Sequence, residues 1–92
     1  MILYAEVECL FYNAQSLKEK RSILKRLTMR IRKDFNVAIA ELAFHDLWQR
    51  TKLGIVTVAN EQQHAEQVLQ EVMRTLDSDF EIERTVTTIE RV

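Results

Sequence analysis

The segment Phe44–Arg50, FHDLWQR, holds the side chains best suited to acid–base chemistry. A proton-transfer site would use His45 as the general base and Glu41 or Asp46 to orient it. No nucleophile or glycine-rich loop accompanies these residues, and adjacent side chains need not point the same way. The segment therefore favours a structured connection, in which Trp48 packs against the protein and Asp46 or the glutamine after Trp48 bonds to the backbone.

Basic side chains are concentrated between Ser16 and Phe35. This segment holds eight Lys and Arg residues against two acidic ones, a net charge of +6, while the whole chain carries −1. On a helix, with about 100° per residue, most of these cations fall outside the apolar arc. Like charges this close repel one another, and a polyanion would relieve the repulsion. The predicted phosphate-contacting residues are Lys18, Arg21, Lys25, Arg26, Arg32 and Lys33, with Arg50 as an extension.

Composition argues against several other kinds of site. One Cys cannot form an internal disulfide or a Cys-based zinc site, and one Gly is too few for a P-loop or a dinucleotide fingerprint. Base stacking on the sheet, as in RNA-recognition motifs, is not expected because residues 52–59 contain no aromatic side chain. Pairing His45 with His64 as metal ligands rests on residue type alone. We therefore assign no catalytic residue, metal or cofactor.

Hydrophobic periodicity divides the chain into six elements. Alternating apolar residues predict strands, and apolar residues repeating every three or four positions predict helices. Ser16 and Glu19 fit a capping box before the first helix, and Asn60 with Gln63 fits a second one. The predicted order is a strand at 2–12, a helix at 17–35, strands at 36–43 and 52–59, a helix after Asn60 and a strand at 80–92.

The order β-α-β-β-α-β predicts an α+β fold, a ferredoxin-like sandwich with two helices on one face of a four-stranded antiparallel sheet. A length of 92 residues with 47% hydrophobic content fits a single domain over residues 1–92. Lys20 falls in the apolar arc of the first helix, where its ammonium is expected to reach water along its stem. The predicted core is Leu3, Val7, Phe11, Leu24, Leu27, Ile31, Val56, Val68, Leu69 and Val72.

The sheet face without helices is expected to be open and partly apolar. It carries Ile2, Tyr4 and Leu10, so we expect a homodimer through this face. Cys9 lies in an apolar run and is expected to be a small buried hydrophobe. No stretch approaches the ~20 apolar residues of a membrane span and the start lacks a signal-peptide pattern, which predicts a cytoplasmic protein that does not enter the membrane.

Three segments carry a resemblance to a known family. They are SLKEKR at 16–21, FNVAIAE at 35–41 and DLWQR at 46–50, which is followed by LGI at 53–55. In order and spacing the chain resembles the YlxP-like family of bacterial proteins of unknown function over almost its whole length. The resemblance implies a ferredoxin-like fold and, in some bacteria, genes next to those of translation initiation and ribosome-maturation factors. It transfers no catalytic residue.

Three functional hypotheses follow from these observations. The first is a non-catalytic accessory factor that binds structured RNA, on the ribosome or elsewhere, through the cationic first helix. The alternative is a protein-interaction domain that meets an acidic protein partner through the same helix. The third is a small-molecule or enzymatic role around Phe44–Arg50.

Overall fold

The computed structural model describes all 92 residues and contains four strands and two helices. The strands form one antiparallel sheet in the order β2-β3-β1-β4, and both helices cover the same face. The predicted ferredoxin-like sandwich is therefore confirmed. The elements are β1 (Ile2–Leu10), α1 (Leu17–Asp34), β2 (Ala38–Ala43), β3 (Arg50–Val58), α2 (Gln62–Asp77) and β4 (Glu83–Arg91).

The core lies between the sheet and the two helices. Odd-numbered residues of β1 from Leu3 to Cys9 point into it, because side chains alternate along a strand. Leu27 and Ile31 of α1 are fully buried against them. Cys9 is a buried thiol as predicted, and burial raises the pKa of Cys9 to about 12. The thiol therefore stays protonated and acts as a small apolar side chain.

Two residues predicted for the core are only half-buried. Val56 lies on the open face, because the helix-facing side chains of β3 are the odd-numbered ones. Val68 lies at the rim of the buried stripe of α2. Thr51 and Thr57 occupy core-facing positions of β3 instead, and each hydroxyl donates a hydrogen bond, to Glu41 and to the backbone of residue 36. Because β3 is apolar on both faces, its sequence does not show which set of alternate side chains is buried.

The start of α1 follows the predicted capping box with one difference. The amide of Glu19 donates to Oγ of Ser16 at 3.1 Å, as predicted. The Glu19 carboxylate, however, accepts from the amide of Gln15 at 2.7 Å rather than from Ser16. Both contacts satisfy amides at the helix start, so the sequence signal located the correct turn.

The later element ends depart further from prediction. Asn60 does not cap α2, since Glu61 occupies the cap position and makes no side-chain cap bond. The last strand begins at Glu83 rather than at residue 80. Phe80 lies in the preceding turn and is 94% exposed, while Ile82 is buried. Neither helix combines the length and apolar character that crossing a membrane requires.

Candidate nucleic-acid interface

The outer side of α1 carries five cations that no acidic side chain neutralises. Six of the thirteen Lys and Arg residues of the chain take part in ion pairs, which leaves seven without one. Arg74 and Arg91 are the two that lie outside α1. The other five, which we call the cationic face, are Lys18, Arg21, Lys25, Arg32 and Lys33.

Arg26 is held by the connection between α2 and β4. Its guanidinium donates to Asp79 at 2.7 Å and to Glu81 at 2.8 Å. Burial opposes ionisation of Asp79, but the bonds from Arg26 and from the Glu81 amide outweigh it, so the pKa of Asp79 lies below its ordinary value. Arg26 thus ties α1 to this connection and is not a free cation, although the sequence placed it among the phosphate contacts.

Arg32 contacts the outer strand on the other side of α1. Its guanidinium donates to the carbonyl oxygen of Ile39 at 2.8 Å. Because β2 is an edge strand, this bond occupies a backbone acceptor that another chain would otherwise find. Arg32 has no acidic partner, so its positive charge still belongs to the cationic face.

Arg50 does not extend the cationic face. It begins β3 beside Leu10, and its guanidinium donates to the Glu8 carboxylate at 2.6 Å. It also stacks 4.0 Å from the centre of the Phe44 ring. Glu8 lies on the open side of β1, away from α1. The predicted contact set therefore divides by geometry: Arg50 belongs to the opposite side of the sheet.

Lys20 is buried rather than extended to water, so the expectation for it was wrong. Its ammonium donates to the carbonyl oxygen of Phe44 at 2.6 Å and lies 3.1 Å from the Glu41 carboxylate. The Thr51 hydroxyl donates to the same carboxylate at 2.6 Å. Lys20 thereby joins α1, β2 and β3 in one polar cluster within the core side. The only indication in the sequence that Lys20 is buried was its position in the apolar arc of α1.

The connection between β2 and β3 follows the prediction in part. Gln49 bonds to the backbone as expected, its amide donating to the carbonyls of Tyr12 at 3.1 Å and Ala14 at 3.3 Å. Trp48 does not pack, since 52% of it is exposed. His45 lies 3.9 Å from Glu41, a carboxylate already engaged by other donors, and is itself exposed. This arrangement supplies no aligned nucleophile and base.

The open sheet face combines ion pairs with an apolar trough. Lys52 pairs with Glu6 at 2.9 Å beside the Arg50–Glu8 pair. The bond from Lys52 and the one from the Tyr4 hydroxyl lower the pKa of Glu6. Towards β2, the side chain of Leu42 covers Gly54 so closely that a Cβ there would lie 2.8 Å from it. The apolar residues predicted for this face are thus interrupted by paired charges.

Comparison with known proteins assigns the chain to a family. Residues 2–89 match the family described as "Protein of unknown function (DUF503)". The chain belongs to the DUF503 family. A relative from Bacillus subtilis (strain 168), "Uncharacterized protein YlxP", is 49% identical over 90 residues, which cover 98% of each chain. The resemblance seen in the sequence is confirmed.

Solved structures show the same fold in unrelated sequences. A de novo designed protein with ferredoxin fold aligns with a TM-score of 0.61 at 18% identity, over 100% of this DUF503 chain and 87% of the design. A second design, Foldit4, gives 0.61 at 13% identity, over 100% and 99%. A C-terminal segment of the alpha subunit of aIF2 from Pyrococcus abyssi gives 0.54 at 20% identity, over 100% and 50%. At such identities the likeness concerns the fold alone.

Proposed function

We propose that this DUF503 protein is a non-catalytic accessory factor that binds the phosphate backbone of structured RNA through the cationic face of α1. The observation that carries the proposal is the set of five unneutralised cations on one helix, in a chain whose net charge is −1. From residue 18 to residue 33 the face extends over roughly 22 Å. That length spans several successive phosphates of an RNA strand.

The fold provides partners for the other cations of α1 and leaves these five without an acid. Lys20, Arg26 and Arg30 are each paired with a carboxylate. The remaining five keep like charges near one another on the helix, which costs stability in the absence of a partner. Phosphates would neutralise them and release counterions, which is the main source of affinity for nucleic acid backbones.

Backbone contact is the mode that this surface supports. It carries no aromatic side chain for stacking, and the deep major groove of an RNA helix is too narrow for an α-helix to read bases. Protein interfaces, in contrast, are depleted of charge at their centre and use apolar anchors. The translational setting, with ribosomal RNA as the expected target, comes only from the resemblance to the YlxP-like family.

One observation favours the second candidate, an acidic protein partner. Met29 lies among the cations of α1 and is 56% exposed, so it offers one apolar anchor. A partner of this kind would bind the face through carboxylates. An acidic peptide with as many charges as a short RNA would then compete equally for the face.

The test is a fluorescence anisotropy titration with a labelled RNA hairpin at several salt concentrations. Neutralising four or five phosphates gives a log–log salt slope of about −3 to −4. Changing Lys25 and Lys33 together to Glu should abolish most of the binding for any RNA sequence. Folding should change little, because the reduced repulsion on the helix offsets the loss of the favourable Lys33 charge in the last turn of α1.

The matched control changes Arg74 and Arg91 to Glu. These residues also lack acidic partners but lie on α2 and β4, so the change in net charge is identical. Equal weakening in both double variants would mean a general charge effect and not a site on α1. Unchanged binding after the Lys25 and Lys33 changes would refute the proposal, and equal competition by polyglutamate would favour the acidic protein partner.

The homodimer expected through the open sheet face stays a prediction. The trough floored by Gly54 and bounded by Tyr4 and Leu42 is the apolar part of that face. Multi-angle light scattering at high micromolar concentration measures the molar mass and so tests for the homodimer. A monomer under those conditions would contradict the prediction. Leu42→Glu should abolish any dimer while leaving the helix face intact.

A further inference from the structure

The connection between β2 and β3 forms an open cleft of about 480 Å³ at one end of the sheet. This volume lies within the range of small-molecule sites, about 300–1,000 Å³, but the cleft is more open to solvent than such sites usually are. The sequence pattern predicts a connection with a packed tryptophan here, whereas the fold leaves Trp48 half-exposed at the wall of a cleft. Its lining residues are Leu10, Asp46, Leu47, Trp48, Gln49 and Arg50.

Backbone contacts fix both ends of this connection. Phe44 adopts a φ of 66°, which is uncommon for a residue other than glycine, and its carbonyl accepts from Lys20 at 2.6 Å. At the other end, the amide of Phe11 donates to the carbonyl of Gln49 at 2.9 Å. The amide of Leu47 also donates to Phe44 at 3.0 Å. A strained conformation held by several bonds indicates a preformed loop.

The cleft presents an aromatic face and polar groups with free bonding capacity. About half of Trp48 is exposed, although aromatic side chains usually pack. Asp46 makes no hydrogen bond or ion pair within the chain and therefore has a free acceptor. Arg50 is held in place by Glu8 and by the Phe44 ring, so its remaining N–H groups have a fixed direction.

We infer that this cleft binds one unpaired nucleobase of the RNA whose backbone lies on the cationic face, with the base stacked on Trp48. The inference rests on the proposed function. A base is planar and apolar on its faces and polar on its edge, and single-stranded RNA is recognised by stacking on aromatic rings and by bonds to base edges. Asp46 accepts from an exocyclic amino group, while Arg50 donates to a ring nitrogen or carbonyl oxygen.

The position of the cleft connects it with the cationic face. Lys20 belongs to the first turns of α1 and bonds directly to Phe44, at the start of the connection. Lys18 and Arg21 flank Lys20 in sequence and point outward, so free cations lie at the same end of the molecule as the cleft. Because Arg50 lies on the side of the sheet opposite α1, one strand would have to pass around this end of the sheet to place phosphates on α1 and an unpaired base against Trp48.

Trp48 is the only tryptophan of the chain, so its intrinsic fluorescence reports directly on the cleft. The probes are end-labelled oligoadenylate, oligocytidylate and oligouridylate, together with a blunt RNA duplex, and anisotropy measures total binding. We expect single strands to quench Trp48 and the duplex to leave it unchanged. Trp48→Ala should weaken single-strand binding by roughly 5- to 150-fold without changing duplex binding. Trp48→Phe should restore most of the affinity, because the ring still stacks.

The edge contact has its own test. Uracil has no exocyclic amino group, so Asp46 should favour oligoadenylate and oligocytidylate over oligouridylate. Asp46→Asn should remove this preference, because an amide both donates and accepts. Phe80→Ala is the matched control, since Phe80 is an exposed aromatic residue in the turn before β4. It should leave both the affinity and the preference unchanged.

The outcomes separate this inference from the proposed function. Single strands that bind by anisotropy without quenching Trp48, or that bind Trp48→Ala as tightly as the unchanged protein, would overturn the base site and leave the backbone proposal standing. Absence of binding to any RNA would overturn both. A Trp48 spectrum that shifts with protein concentration alone would show that a second copy of this chain occupies the cleft, which also overturns the inference.

Discussion

Replacing Lys20 by Met tests the buried polar cluster that links α1 to the sheet. Met has a similar length, so the change removes the ammonium while filling most of its volume. Only 1% of the Lys20 side chain is exposed, whereas 19% of Glu41 is exposed. Removing one partner of a buried pair costs about 3–5 kcal/mol. We expect the lower end of that range, about 3 kcal/mol, because Glu41 keeps some water and the Thr51 donor.

A double-mutant cycle isolates the pair from the packing effect of each change. Glu41→Gln keeps an acceptor for Thr51 but leaves the Lys20 ammonium without a counter-charge. The combined variant, Lys20→Met with Glu41→Gln, buries no unpaired charge. Its loss of stability should therefore be smaller than the sum of the single losses by about 2 kcal/mol.

Urea unfolding followed by far-ultraviolet circular dichroism measures these free energies independently of the Trp48 signal. The coupling should persist in concentrated salt, because buried pairs are screened weakly. The emission of folded Lys20→Met should also differ from that of the unchanged protein, since Lys20 holds the connection that carries Trp48. Additive losses below about 1 kcal/mol each would show that Lys20 reaches water, as the sequence suggested, and would refute the cluster.

Three further predictions concern stability and the buried thiol. Leu27→Ala should cost about 2–5 kcal/mol in a urea titration, since Leu27 is fully buried, and a loss below about 1 kcal/mol would contradict the burial of Leu27 between α1 and the sheet. The pKa of Asp79 is lowered from its ordinary value of 3.8, so the stability that its contact with Arg26 supplies is present above about pH 4 and is lost as pH falls through the folded pKa. Asp79→Asn should lower stability at neutral pH and make its decline on acidification shallower, and an unchanged acid profile would disprove this role. The Cys9 thiol, whose pKa burial raises to about 12, should resist a thiol reagent in the folded protein and react once urea unfolds it.

The order of elements was predictable because local signals agreed with the fold. The capping box at Ser16 and the apolar stripe through Leu27 and Ile31 locate α1, and strict alternation locates β1. The sequence did not show which alternate residues of β3 face the helices, because apolar residues occupy both faces of the strand. Val56 was therefore assigned to the wrong face. The prediction that Asn60 caps α2 was also wrong. A residue type that favours the N-cap position does not by itself show at which residue the helix begins.

Contacts between distant residues account for the rest of the misassignments. The partner of Lys20 lies 21 positions later, and the partners of Arg26 lie more than 50 positions later. The spacing of apolar residues along the sequence does not predict such ion pairs, because they depend on how the helices and strands pack together. The exposure of Trp48 has the same origin: the bonds from Gln49 to the β1–α1 connection hold the loop with its indole outward.

These distant contacts also change what the cationic helix can do. From sequence, six of the eight basic residues of α1 were candidates for phosphate, and Lys20 was placed in the apolar arc. In the fold, Arg26 serves to anchor the α2–β4 connection and Lys20 serves to anchor the β2–β3 connection. Of the six predicted contacts on α1, five therefore keep their positive charge for a partner. A salt slope steeper than about −5 would require more phosphates than this face can neutralise, and would place additional RNA contacts elsewhere on the molecule.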